Sequence, residues 1–262
     1  KVGEQLDLLL YSRKDCVVLT GATLSANESF QHIINRTDFK DADELMLGSP
    51  YNYPEVALIC IPEDMPEPTS PDYQAKLEQA ITDAALTAKG RTMALFTSHY
   101  SLRSTAIAIR GNLEPQGIDV LAQGIDGTAQ QVQNRFLNKG NSLLLGTASL
   151  WEGVDLAGES LEVLIVSRLP FSVPTDPIFA ARSELFESPF MEYAIPQAVL
   201  RLRQGFGRLI RTKNDKGVVV ILDRRVISRG YGSTLIDSLP KATFHLCRLD
   251  TIGKEIRDWM QR

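Results

Sequence analysis

A chain of 262 residues with 44% apolar content is long enough to bury a normal core, and its formal net charge is −4. That balance excludes a surface that binds nucleic acid indiscriminately, because such affinity comes from neutralised phosphates, so any polyanion site has to be local. No apolar run approaches the ~18–20 residues that span a bilayer, and the opening KVGEQLDLLL lacks the small-residue cleavage pattern of a signal peptide, so neither a membrane partner nor secretion is expected.

Along the chain, short apolar and β-branched runs recur at 16–20 (CVVLT), 56–61 (VALICI), 92–98 (TMALFTS), 118–123 (IDVLAQ), 142–147 (SLLLGT), 161–168 (LEVLIVSR), 217–223 (GVVVILD) and 243–248 (TFHLCR). Most are continuous rather than alternating, the pattern of strands buried on both faces, which predicts a mostly parallel sheet. Helical periods fall between them at 26–36, 72–88, 100–113, 128–138, 176–187, 192–211, 232–238 and 252–261. Strand and helix thus alternate as in a doubly wound α/β domain with helices on both faces. Ser25–Glu28 (SANE) reads as a capping box opening the first helix. The Pro-rich Cys60–Tyr73 segment reads as an exposed loop, because proline cannot donate into a ladder.

Cys16, Cys60 and Cys247 are odd in number and far apart, which argues for free core thiols in a reducing, cytoplasmic compartment. Their spacing offers no zinc or iron-sulfur ligand set, so no metal site is expected in this chain. His32, His99 and His245 are scattered without a nucleophile motif and read as structural or surface residues; His99 alone stays open, because it follows a strand end.

Three segments carry chemistry. In LRLRQGFGRLIRTKND, Leu200–Asp215, a continuous helix would put Arg201, Gln204, Arg208 and Arg211 on one face and Val199, Leu202, Phe206, Leu209 and Ile210 on roughly the opposite one. No Asp or Glu occurs from Tyr193 to Asn214, so these cations repel one another, and Gly205 and Gly207 each cost about 1 kcal/mol in a helix interior. An anion site explains that pattern better than a merely solvated basic face. In LLLGTASLWEGVDLAG, Leu143–Gly158, a buried strand runs out at Thr147 into a loop with Ser149, Trp151, Glu152, Gly153 and Asp155, where ligands bind in parallel α/β sheets; an ordinary solvated loop is the alternative. In ALFTSHYSLRS, Ala94–Ser104, Thr97 and Ser98 precede a helix, which suits either a phosphate or simple N-capping.

These segments, in this order, resemble the second motor domain of superfamily 2 helicases of the DinG/XPD-like group, the bacterial DinG branch in particular. TGATLS (Thr20–Ser25) looks like motif III, LFTSHYSL like motif IV, GTASLWEGVDLAG with LEVLIVSRLPF like motif V and its extension, and QGFGRLIRTKNDKGVVVILDRR like motif VI. The resemblance covers nearly the whole chain. It implies a RecA-like domain, 1–262, with 1–24 as the junction from a preceding motor domain. It implies further that Arg208 and Arg211 are arginine fingers to the γ-phosphate of ATP, and that Gln204 orients that phosphate and water. Glu152, Gly153 and Asp155 would contact nucleotide, while Thr97, Ser98, Thr147 and Ser149 would lie near a single-stranded DNA backbone.

Such a motor also needs a G-x-x-x-x-G-K-[ST] loop and an acidic box for magnesium. Neither is present: Gly253-Lys254 is followed by Glu255, and Arg248 stands where the first glycine belongs. The expectation is therefore the carboxy-terminal part of a longer helicase, with ATP and Mg held mainly by its other motor domain; an iron-sulfur cluster would belong to the parent protein and not to this segment. A stand-alone nucleic-acid or nucleotide-binding module is the alternative. A small-molecule enzyme built on Glu152 and Asp155 leaves the arginines unexplained.

Overall fold

The computed structural model describes residues 2–21, 24, 25, 29–151 and 161–262. Two compact units emerge, Lys1–Pro50 and Tyr51–Arg262.

In the first unit, α1 (Val2–Leu9) and α2 (Gln31–Thr37) are the α-helices of the described residues. The CVVLT run does not form the predicted strand: it carries no ladder, and Val18 is 77% exposed. Strand geometry is sustained by a hydrogen-bonded edge, and the described residues of this unit contain none for it. Part of the SANE capping box lies outside the described residues, and α2 begins later than the predicted helix.

In the second unit the seven remaining apolar runs all become strands: β1 (Ala57–Pro62), β2 (Thr92–Leu95), β3 (Asp119–Ala122), β4 (Ser142–Gly146), β5 (Val163–Val166), β6 (Gly217–Ile221) and β7 (Thr243–Cys247). They form one sheet in the order β3-β4-β2-β5-β6-β1-β7, with every pairing parallel. Register follows from burial: Thr92–Leu95 of β2 pairs residue for residue with Leu143–Gly146 on one side and Val163–Val166 on the other. Successive side chains enter opposite cores, as Leu58 and Cys60 do on one face and Ala57, Ile59 and Ile61 on the other. Both faces are therefore apolar, which is why the runs read as continuous.

Helices cover both faces. α3 (Tyr53–Val56) leads into β1, and α4 (Tyr73–Thr87), α5 (His99–Leu113) and α12 (Ile252–Met260) seal one core through residues such as Leu77, Leu102 and Ile256. On the other face lie α6 (Ala129–Asn138), α7 (Ala148–Trp151), α9 (Ile195–Phe206), α10 (Arg225–Ser228) and α11 (Gly232–Asp237), contributing Phe136, Leu150, Leu202, Val226 and Leu235; α8 (Pro177–Ser183) precedes α9.

Three local expectations change. The helix expected over 192–211 is a π-helical turn at Phe190–Ala194 followed by α9, which stops at Phe206. The Pro-rich segment is not wholly exposed, since it starts inside β1 and buries Met65 and Tyr73 completely or nearly so. Of the cysteines, Cys16 is exposed, while Cys60 and Cys247 are buried free thiols with sulfurs 2.8 Å apart on neighbouring strands. The hydrogen bond with Cys247, and then burial, push the Cys60 thiol upward, so it stays protonated.

Candidate functional site

The site is built at two ends of one helix. α9 runs antiparallel to the strands: its first half faces the loops that follow β2, β4 and β5, whereas Leu209, just beyond its end, packs against Gly217 at the start of β6. Twelve residues at 1.5 Å rise separate these ends by about 18 Å. Thr97 and Thr147 lie at one end and Arg208 and Arg211 at the other, so the two groups of candidate residues are held apart.

At the strand carboxyl ends a cleft of about 360 Å³ is lined by Thr97, His99, Thr147, Phe171, Arg182 and Arg201, among others. Thr97 and Thr147 are there because the β2–β4 pairing ends in step, and Phe96 N–H extends the ladder to Gly146 O at 2.8 Å. Thr147 N–H donates to Gln123 Oε1 at 2.9 Å, and Gln123 Nε2 donates to Ser149 Oγ at 2.8 Å, so one glutamine from the loop after β3 fixes both. Ser98 Oγ accepts from Ser101 N–H at 3.4 Å and caps α5. His99 Nε2 lies 3.4 Å from Thr147 Oγ1, which brings the one histidine left open into the cleft. His245, by contrast, pairs with Glu255 at 2.9 Å, as a structural residue does.

Gly146 is required where β4 turns into this loop, since a Cβ there would collide with the fully buried Leu150 side chain. Gly146→Ala is expected to cost about 1–3 kcal/mol of stability by overpacking, read as a lowered urea midpoint at unchanged slope.

The segment after β5 is clamped from two directions. Arg201 donates to Pro170 O at 3.2 Å and Ser172 Oγ at 2.8 Å. Asp223, fully buried at the end of β6, accepts from Leu169 N–H at 2.8 Å and from Arg225 through N at 3.1, Nε at 2.9 and Nη2 at 2.6 Å. The hydrogen bond to Asp223 raises the Arg225 pKa further, against burial. The Tyr73 hydroxyl bonds Ser167 O and Leu222 O, and burial pushes its pKa upward. Sequence reasoning gave Asp223 and Gln123 no role. For Asp223 a signal was present, an acid ending a wholly apolar run with an arginine two residues on; for Gln123 there was none.

At the other end, Arg208 and Arg211 leave the helical face they were expected to share with Arg201 and Gln204, because α9 has ended at Gly207. Arg208 is only 4% exposed, whereas Arg211 is exposed. Val199, Leu202, Phe206, Leu209 and Ile210 are all buried, as the apolar stripe required. Asp215, just past the acid-free stretch, accepts from the backbone N–H of Arg211 and of Thr212, both at 2.7 Å, and shapes the turn into β6. Gln204 Oε1 is buried with no hydrogen-bond partner among the described residues, an acceptor that lacks a donor. Glu152, Gly153 and Asp155 lie outside the described residues. Among those described, no group of three or more His, Cys, Asp or Glu side chains is placed to hold a metal ion, and no helix is long and apolar enough to cross a membrane.

A parallel seven-stranded sheet sheathed in helices, with ligand-type loops at the strand carboxyl ends and arginines beyond the last turn of α9, defines a RecA-like helicase fold. The chain belongs to the helicase C-terminal domain family, which matches residues 81–242. It is 37% identical over 245 residues to the ATP-dependent DNA helicase YoaA of Escherichia coli, covering 92% of this chain and 38% of that protein. It is also 37% identical over 248 residues to the 3'-5' exonuclease DinG of Bacillus subtilis, covering 91% and 27%. Against the ATP-dependent DNA helicase DinG of Photobacterium profundum the identity is 35% over 250 residues, covering 92% and 36%. The chain thus spans between 27% and 38% of the length of these relatives. In fold it is similar to an XPD helicase, with a TM-score of 0.56 at 20% identity over 73% of this chain and 36% of that one. Saccharomyces cerevisiae Dbp5 bound to RNA and ADP BeF3 gives 0.52 at 13% identity, over 88% and 51%.

Proposed function

We propose that this chain is the second motor domain of an ATP-dependent DNA helicase of the DinG kind, with residues 1–24 joining it to the first. The observation that carries this reading is a helicase C-terminal domain whose 262 residues contain no phosphate-cradling loop. Its ATP therefore belongs to a site completed by another domain. Arg208 and Arg211 would supply positive charge to the γ-phosphate as it leaves, while the unsatisfied Gln204 Oε1 suits an acceptor for the attacking water. Glu152, Gly153 and Asp155 would touch the same nucleotide, and magnesium would be held by the partner domain's acidic box. At the far end of α9, Thr97, Ser98, Thr147 and Ser149 would face a single DNA strand.

ATP turnover by the purified chain separates this reading from that of an independent enzyme. The chain alone is expected to bind single-stranded DNA and to show no DNA-stimulated hydrolysis above background; robust turnover would overturn the reading. DNA binding in a protein whose reading frame contains no phosphate loop at all would favour a stand-alone binding module instead.

A further inference from the structure

The cleft at the ends of β2, β4 and β5 carries chemistry that a groove following only the DNA backbone does not use. Phosphates are satisfied by cations, hydroxyls and backbone N–H groups, yet this cleft is also lined by Phe171, Phe179 and Tyr193. Phe171 and Phe179 are partly exposed, and each is braced by neighbours. Phe179 packs on Tyr193 with centroids 5.2 Å apart, and Tyr193 is in turn stacked on Phe186 at 5.4 Å and an interplanar angle of 16°. Phe171 is held by Phe190 at 5.5 Å, by Tyr231 at 5.6 Å and by the Arg225 guanidinium at 5.8 Å. Rings fixed before binding lose little freedom when a ligand stacks on them.

The polar groups complement the rings. Arg201 is anchored beside the cleft by Pro170 O and Ser172 Oγ. Arg182, on α8, makes no side-chain hydrogen bond or ion pair among the described residues. The Asp176 carboxylate also lines the cleft, but it is engaged in capping α8 through Phe179 N–H at 2.8 Å. A volume of about 360 Å³ sits at the small end of ligand pockets, suited to one nucleotide-sized group and too small for a helix or strand of a protein partner.

We infer that one nucleobase of the bound single strand leaves the strand's own stack and enters this cleft, stacking on Phe179 while Arg182 meets the adjoining phosphate. The inference rests on the single-strand reading of Thr97 and Thr147 given above. Recognition is tolerant of base identity, because every base offers a π face. It gives the motor a grip on base as well as backbone at one position of the strand.

The test is binding of the 262-residue chain to the shortest oligothymidylate that retains full affinity, whose length fixes the register, carrying an abasic site at each position in turn. At one position the abasic substitution is expected to weaken wild-type binding by about 5- to 100-fold. Phe179→Ala is expected to weaken binding to the unmodified strand by a similar factor and to erase the dependence on that position, so that the two losses do not add. Phe179→Leu, which keeps apolar bulk against Tyr193, is expected to match Phe179→Ala in binding while retaining the wild-type urea midpoint. If every abasic position is neutral while the wild-type chain still binds DNA, the base pocket is wrong and the single-strand reading survives. If the wild-type chain binds no single strand at all, the single-strand reading fails and the pocket with it.

Discussion

If this chain is the second motor domain proposed above, then in a protein that joins it to a phosphate loop Arg208→Ala is expected to lower DNA-stimulated ATP turnover by about 10³- to 10⁵-fold, the range over which a guanidinium stabilises charge on a transferring phosphoryl group. The loss should fall on kcat, since the interaction strengthens as charge develops on the γ-phosphate. Arg208→Lys is expected to recover little, because an ammonium does not reproduce a planar bidentate fork. Arg208 is 4% exposed, so part of any loss could come from the fold; a urea titration of the isolated chain measures that part separately. Arg211 provides the cleaner comparison. Its side chain is exposed and its turn is held through its backbone N–H by Asp215, so Arg211→Ala leaves the turn's hydrogen bond in place. Unchanged turnover in both alanine variants would remove the arginine-finger reading.

Asp223→Ala is expected to cost the fold about 3–5 kcal/mol, because it leaves a mostly buried guanidinium without its counter-charge. Asp223 is fully buried and accepts from Leu169 and three times from Arg225. Removing it leaves a buried N–H and an uncompensated Arg225 whose side chain is 29% exposed. Against a typical total of about 5–15 kcal/mol for a domain, this is a large fraction. The effect should reach the cleft, since Leu169 N–H is the fixed point from which Pro170 and Phe171 enter it. Chemical denaturation checks the stability, and DNA binding at a denaturant-free midrange temperature checks the cleft. A loss below about 1 kcal/mol would mean that the pair is no stronger than an exposed surface bridge.

Much of the fold was legible because burial on both faces leaves a direct trace. Residues 57–62 and 217–221 are apolar without alternation, the pattern expected of strands buried on both faces, as those of a helix-covered parallel sheet are. The helices 72–88 and 252–261 were located to within a residue or two for the same reason, their apolar residues recurring at the helical period. CVVLT misled because composition reports the capacity to pair and not the presence of an edge. The end of α9 was also hidden. Gly205 is tolerated inside the helix and Gly207 terminates it in right-handed geometry, and no breaker stronger than glycine marks the difference.

The sequence by itself determined the alternation of strand and helix, the parallel sheet, the local concentration of arginines after residue 200 and the lack of a phosphate loop, all properties of residue type and near-neighbour spacing. Tertiary structure alone decided which of those residues act together. Arg201 turns to Pro170 and Ser172, Arg208 is carried past the helix end, and Gln123 reaches across 24 residues to fix Thr147. The physical reason is that side-chain hydrogen bonds and ring contacts depend on distances set by sheet order, and β2 lies between β4 and β5 whatever their positions in the chain. A helical wheel places three arginines and Gln204 in a row; the packed sheet divides the arginines between the two ends of α9.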